Sequence, residues 1–177
     1  MNNQTAKRKI CAVILWIMLL FWMAFIFSMS SQEASKSSKS SGEVIETILK
    51  IVKPDYESLT ATEKYDLIDS LQFIVRKIAH FTGYTIIGIL SYWALFSTFS
   101  LKGDNNRTYK IIIFALLIGL LYSVSDEIHQ FFVPGRSCEL RDVIIDFSGV
   151  TLGVGLSFAV LVIVRKIRSK NEKAHIL

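Results

Sequence analysis

Charge is missing from long stretches of this chain. Residues 10–28, ICAVILWIMLLFWMAFIFS, contain no Asp, Glu, Lys or Arg. A soluble fold of 177 residues does not need such runs, and 51% hydrophobic content gathered this way points to a bilayer. Cysteine is also scarce. Cys11 and Cys138 are the whole complement, with no C-x-x-C and no Cys/His zinc spacing. There is no Gly-rich phosphate loop, no GxSxG nucleophile elbow and no internal repeat. No cofactor is therefore expected. No A-x-A cleavage site follows the first apolar run, and that run exceeds a signal-peptide core of roughly 7–15 residues, so a retained anchor is expected.

Four runs are long enough to cross a hydrocarbon core, which takes about 20 helical residues. They cover about 10–28, 73–99, 109–131 and 143–164. The expected fold is all-α: one polytopic membrane domain over 1–177, with an extracytoplasmic segment at 30–72. Within that segment 30–42 is rich in serine and lysine and reads as a flexible linker. Apolar residues at 44, 45, 48, 49 and 52 then make one helical face, ended by Pro54, for the membrane surface or the end of the bundle. Thr60 and Glu63 form a capping-box pattern ahead of the second span.

Basic residues set the orientation. The N-terminus, the 100–110 loop and the C-terminal tail hold eleven Lys/Arg but only Asp104 and Glu172, a net +9. The rest of the chain carries −4, giving the overall +5. By the positive-inside rule both termini are expected in the cytoplasm. The pI of about 9.2 is then a topology signal and not a nucleic-acid one. A bilayer would separate Cys11 from Cys138, which excludes an internal disulfide.

The remaining charges cluster at one depth. Arg76, His80 and Tyr84 recur at helical spacing, with Lys77 beside them. Ser123, Asp126, Glu127 and Gln130 share a face at the end of span three, from which His129 points away. Asp142 and Asp146 open span four, and Arg136 and Arg141 lie in the connecting loop. The inner halves of the spans have nothing comparable, which argues against a channel or transporter. Gly149 and Gly153, with Gly155 nearby, form a GxxxG pattern suited to close packing within the bundle; a homo-oligomer is possible but not indicated.

The segments 76–88 (RKIAHFTGYTIIG), 125–136 (SDEIHQFFVPGR), 142–153 (DVIIDFSGVTLG) and 27–32 (FSMSSQ) resemble the VanZ-like membrane protein family. The resemblance covers nearly all of the chain except about 33–60. It implies a small multi-spanning protein of the cytoplasmic membrane of a Gram-positive bacterium, in a family associated with resistance to the glycopeptide teicoplanin. It marks Arg76, Lys77, His80, Tyr84, Asp126, Glu127, Gln130, Pro134, Gly135, Arg136, Asp142, Asp146 and Gly149 as motif positions.

Three uses of the polar cluster stand at this point. The acids Asp126, Glu127, Asp142 and Asp146 balance the bases Arg76, Lys77, Arg136 and Arg141, as structural glue would require. As a binding site, Arg76, Lys77, His80, Tyr84, Asp126, Glu127, Gln130, Arg136, Asp142 and Asp146 would take a membrane lipid headgroup or a lipid-linked cell-wall precursor. As an enzyme, a hydrolase or transferase on a lipid phosphate, the chain would use Asp126, Glu127 and His80 as acid–base candidates. No metal is expected, and the candidates for one are Asp126, Glu127, Asp142 and Asp146.

Overall fold

The computed structural model describes residues 3–99 and 105–174. Lys102 and Asp104, used in the charge count, lie outside them, as do the side chains of Arg107, Glu172 and Lys173. Among the described residues five α-helices follow in order: α1 (Asn3–Ser30), α2 (Ala34–Val52), α3 (Ala61–Thr98), α4 (Asn105–Phe131) and α5 (Leu140–Ala174). A 3-10 turn, Tyr56–Ser58, lies between α2 and α3. All except α2 are long and apolar enough to span a membrane. The protein is an all-α polytopic membrane protein with four transmembrane helices.

The four spans alternate in direction. Trp16 Nε1 donates to Thr98 Oγ1 at 3.0 Å, and Trp22 Nε1 to the Gly83 carbonyl at 2.9 Å, so α1 runs antiparallel to α3. Tyr122 OH donates to the Met23 carbonyl at 2.6 Å, fixing α4 beside α1. Lys77 pairs with Asp142, Gly149 lies on Phe81 and Gly153 on Thr85, so α5 runs parallel to α3. The ends of α1 and α4 therefore meet the start of α5 and the middle of α3. The polar cluster sits at this end, with the α2 segment and the α4–α5 loop.

Helix α3 is longer than its apolar run. Its 38 residues reach about 57 Å at about 1.5 Å per residue, nearly twice the hydrocarbon thickness. The polar first turns therefore project from the bilayer. Thr60 caps them as expected: its amide donates to Glu63 Oε2 at 2.8 Å, and the Glu63 amide to Thr60 Oγ1 at 3.3 Å.

The linker expected at 30–42 is a correction. Helix α2 begins at Ala34 and takes up most of that stretch. The Ala34 amide donates to the Pro134 carbonyl at 3.3 Å, which anchors the start on the α4–α5 loop. Gly42 then rests near Ile68 and Gln72 of α3, and Ile45 is buried. Serine has only a weak preference against helix and lysine is a good helix former, so these tertiary contacts are enough to hold the helix.

Glycine sets the closeness of α3 and α5. A Cβ at Gly149 would overlap the Phe81 carbonyl, and one at Gly153 the Thr85 carbonyl. From the other helix, a Cβ at Gly88 would overlap the Val150 carbonyl. Gly155 faces open space and takes no part. Gly149→Ala should therefore destabilise the protein by about 1–3 kcal/mol through overpacking. Gly155→Ala should be neutral or mildly stabilising, since alanine is the better helix former. Thermal unfolding of detergent-solubilised protein checks this. Equal melting temperatures for the two variants would show that the glycine contact does not constrain the bundle.

Candidate functional site

Asp126, on the last turns of α4, lies at the centre and is 1% exposed. Its Oδ2 accepts from Ser30 Oγ of α1 at 2.9 Å, Tyr84 OH of α3 at 3.2 Å and Gln130 Nε2 at 3.3 Å. One oxygen therefore ties three helices together. Its Oδ1 is buried with no hydrogen-bond donor. Asp146 of α5 is fully buried, and both of its oxygens lack donors in hydrogen-bond geometry. His80 Nδ1 lies 3.3 Å from Asp146 Oδ1.

Glu127 is also buried, and it bridges α4 to the residue before α5. Its Oε2 accepts from the Glu139 amide at 3.0 Å, and its Oε1 from Gln130 Nε2 at 3.3 Å. Glu139 immediately precedes α5, whose first amides lack intrahelical partners. Glu127 thus reaches across from α4 to hold the start of α5.

Above these buried acids lies a cavity of about 210 Å³, open on one side. Arg76, Lys77 and His80 of α3, Gln130 of α4, Arg136 of the loop and Asp142 of α5 line it, with Arg141, Glu139 and Phe73 at its rim. Tyr84, Asp126, Glu127 and Asp146 lie outside this lining, as buried groups.

The expected fourfold charge balance is not what forms. Lys77 pairs with Asp142, and Arg141 pairs at 3.1 Å with Glu139, not with one of the four acids. Both Lys77 and Arg141 also lie over the Phe73 ring, 5.2 and 4.9 Å from its centroid. Arg136 donates Nε to the Gln32 carbonyl at 3.0 Å and Nη1 to Gln130 Oε1 at 3.1 Å, both neutral acceptors. Among the described residues, no carboxylate pairs with Arg76 or Arg136. Burial pushes the Arg136 pKa below its usual value, and the nearby Arg76 charge pushes the same way. The reason is depth: three of the four acids are buried beneath the cavity, while both arginines remain on its wall.

The family model for VanZ/LLP1 matches residues 15–163. The chain belongs to the VanZ/LLP1 family. No curated protein and no solved structure matches it. In this VanZ/LLP1 chain the matched region spans all of the cavity lining and the buried acids beneath it.

Several participants escaped the sequence reading. Ser30 donates to Asp126, the Gln32 carbonyl holds Arg136, and Ser31 Oγ lies 2.9 Å from His129 Nε2. His129 also stacks on Phe27, with ring centroids 4.2 Å apart. The signal was the polar end of the first span, SMSSQ, which lies at the depth of the cluster. Glu139 was passed over because it belongs to no helical face.

Glu127→Ala should cost about 1–3 kcal/mol, because it leaves the part-buried Glu139 amide and the buried Gln130 side chain each without an acceptor. Glu127→Gln keeps an acceptor oxygen and should cost markedly less. Thermal melts of the two purified variants give the comparison; a Gln variant as unstable as the Ala one would refute the holding role.

Proposed function

We propose that the cavity binds the phosphate-bearing headgroup of a membrane lipid or lipid-linked cell-envelope precursor. The observation that carries this reading is the pair of cavity-wall guanidiniums, Arg76 and Arg136, without a carboxylate partner among the described residues. Guanidinium is the side chain best matched to bidentate phosphate recognition. The Arg136 fork is already oriented by Gln130 and the Gln32 carbonyl, so little order is lost on binding. At about 210 Å³ the cavity has room for a phosphate group and a few waters of about 30 Å³ each. Acyl chains would stay outside it. Phe73, Ile74 and Ile78 are exposed on α3 beside the cavity and would meet them.

In this reading both termini are cytoplasmic, as the basic residues indicate, and the cavity opens to the outside of a bacterial cytoplasmic membrane. A lipoglycopeptide such as teicoplanin inserts its tail in that leaflet. Occupancy of the cavity would change access to the antibiotic's target and lower sensitivity to it. The alternative, a hydrolase or transferase on the same headgroup, has less support. Glu127, a candidate base, is engaged with the Glu139 amide.

The test is lipid binding by the purified protein in nanodiscs, with phosphatidylglycerol against diacylglycerol. Wild type should prefer the phospholipid. Arg76→Ala and Arg136→Ala should each weaken binding by about tenfold or more, as loss of a charge-assisted hydrogen bond does. Arg141→Ala, at an exposed pair, should change it little. Equal retention of both lipids, or arginine variants that bind like wild type, would refute the reading. In cells the arginine variants should lose protection against teicoplanin with vancomycin susceptibility unchanged.

A further inference from the structure

We propose that His80, Asp126 and Asp146 hold one divalent metal ion of the Zn²⁺ or Mn²⁺ class beneath the cavity. The three residues come from α3, α4 and α5, and one donor atom from each lies within 4.8 Å of the others.

The carboxylate oxygens are the first argument. Asp126 Oδ1 and both Asp146 oxygens are buried without a donor. An unsatisfied buried oxygen is costly, and more so when charged. The neighbouring cations do not meet this demand. Lys77 is paired with Asp142, Arg136 turns its fork to Gln130 and the Gln32 carbonyl and donates to neither aspartate, and His80, 3.3 Å from Asp146 Oδ1, is not in hydrogen-bond geometry with it. Two carboxylates and a divalent ion sum to zero.

The geometry is the second argument. His80 Nδ1 and Asp146 Oδ1, 3.3 Å apart, are not aligned as a hydrogen bond. That separation matches the edge of a tetrahedron with bonds of about 2.0–2.1 Å. Asp126 shows the outer support that metal-bound carboxylates have. Ser30, Tyr84 and Gln130 all donate to Oδ2, which fixes the group and leaves Oδ1 for the ion.

Donor chemistry selects the metal. One imidazole with two carboxylates suits Zn²⁺ or Mn²⁺, whereas Ca²⁺ and Mg²⁺ favour oxygen-only sets. Access comes through His80, whose side chain is 25% exposed and lines the cavity. Coordination positions not filled by protein would face that cavity. The set differs from the sequence-based candidates. Glu127 holds the start of α5 and Asp142 holds Lys77, so neither belongs to it.

The experiment uses the full chain in detergent, stripped with chelator and reloaded with Zn²⁺ or Mn²⁺. Metal content is measured by mass spectrometry and thermal stability in parallel. Wild type should retain about one ion per chain and melt higher when loaded than when stripped, as ligand linkage requires. His80→Ala and Asp146→Asn should weaken metal binding at least about tenfold and abolish the metal-dependent rise in melting temperature. Glu127→Gln should retain both responses. Wild type without stoichiometric metal and without a metal-dependent melt would overturn the site. So would Asp146→Asn that keeps the ion, or that is more stable than wild type while wild type binds none; the latter would show a shared proton in the ion's place. No lipid is added, so the outcome is separate from that of headgroup binding.

Discussion

The Asp126 carboxylate is the constraint on which the polar end of the bundle depends. A buried acid at the end of an apolar helix requires donors, and it draws them from three helices. Ser30 fixes the end of α1, Tyr84 fixes α3, and Gln130 continues from α4 to Arg136. Arg136 in turn holds the Gln32 carbonyl, so the loop after α4 is tied to the chain leaving α1. Each contact is a hydrogen bond to or from a charged group, worth about 1.5–3 kcal/mol net. Their shared acceptor makes them a network, and losing it would leave several buried groups unsatisfied together.

Packing deeper in the bilayer sustains that arrangement. Gly88, Gly149 and Gly153 let the backbones of α3 and α5 touch. Asp146 lies one helical turn before Gly149, so the same contact brings its carboxylate against His80. A larger residue at Gly149 would separate the helices and also the two titratable groups. Small residues in the apolar half thus determine spacing in the polar half. The outcome is layered: an apolar sheath, buried acids, then a cavity wall bearing arginines.

Much of this was legible in the sequence because burial in lipid imposes simple patterns. Runs without charge marked the four spans, and Thr60 with Glu63 marked the true start of α3. Helical spacing correctly placed Ser123, Asp126, Glu127 and Gln130 on one buried face. What was not legible depends on tertiary contacts. Counting charges could not reveal that Asp142 alone among the four acids would pair with one of the four Lys and Arg counted against them, while Arg141 turned to Glu139. Helical spacing likewise says nothing about Glu127 reaching the amide of Glu139, the residue just before another helix. The serine-rich start of α2 looked like a linker because its support, the Pro134 carbonyl, comes from a loop about a hundred residues away.

The central claim is that the arginine-lined cavity faces the outside of the cell. The two cysteines offer a direct test. Both are exposed, Cys138 in the loop beside the cavity and Cys11 near the opposite end of the bundle. A membrane-impermeant maleimide added to intact cells should label Cys138, and a Cys138→Ser variant should lose the label while Cys11→Ser keeps it. Labelling of Cys138 only after the membrane is permeabilised would place the cavity in the cytoplasm and contradict the account.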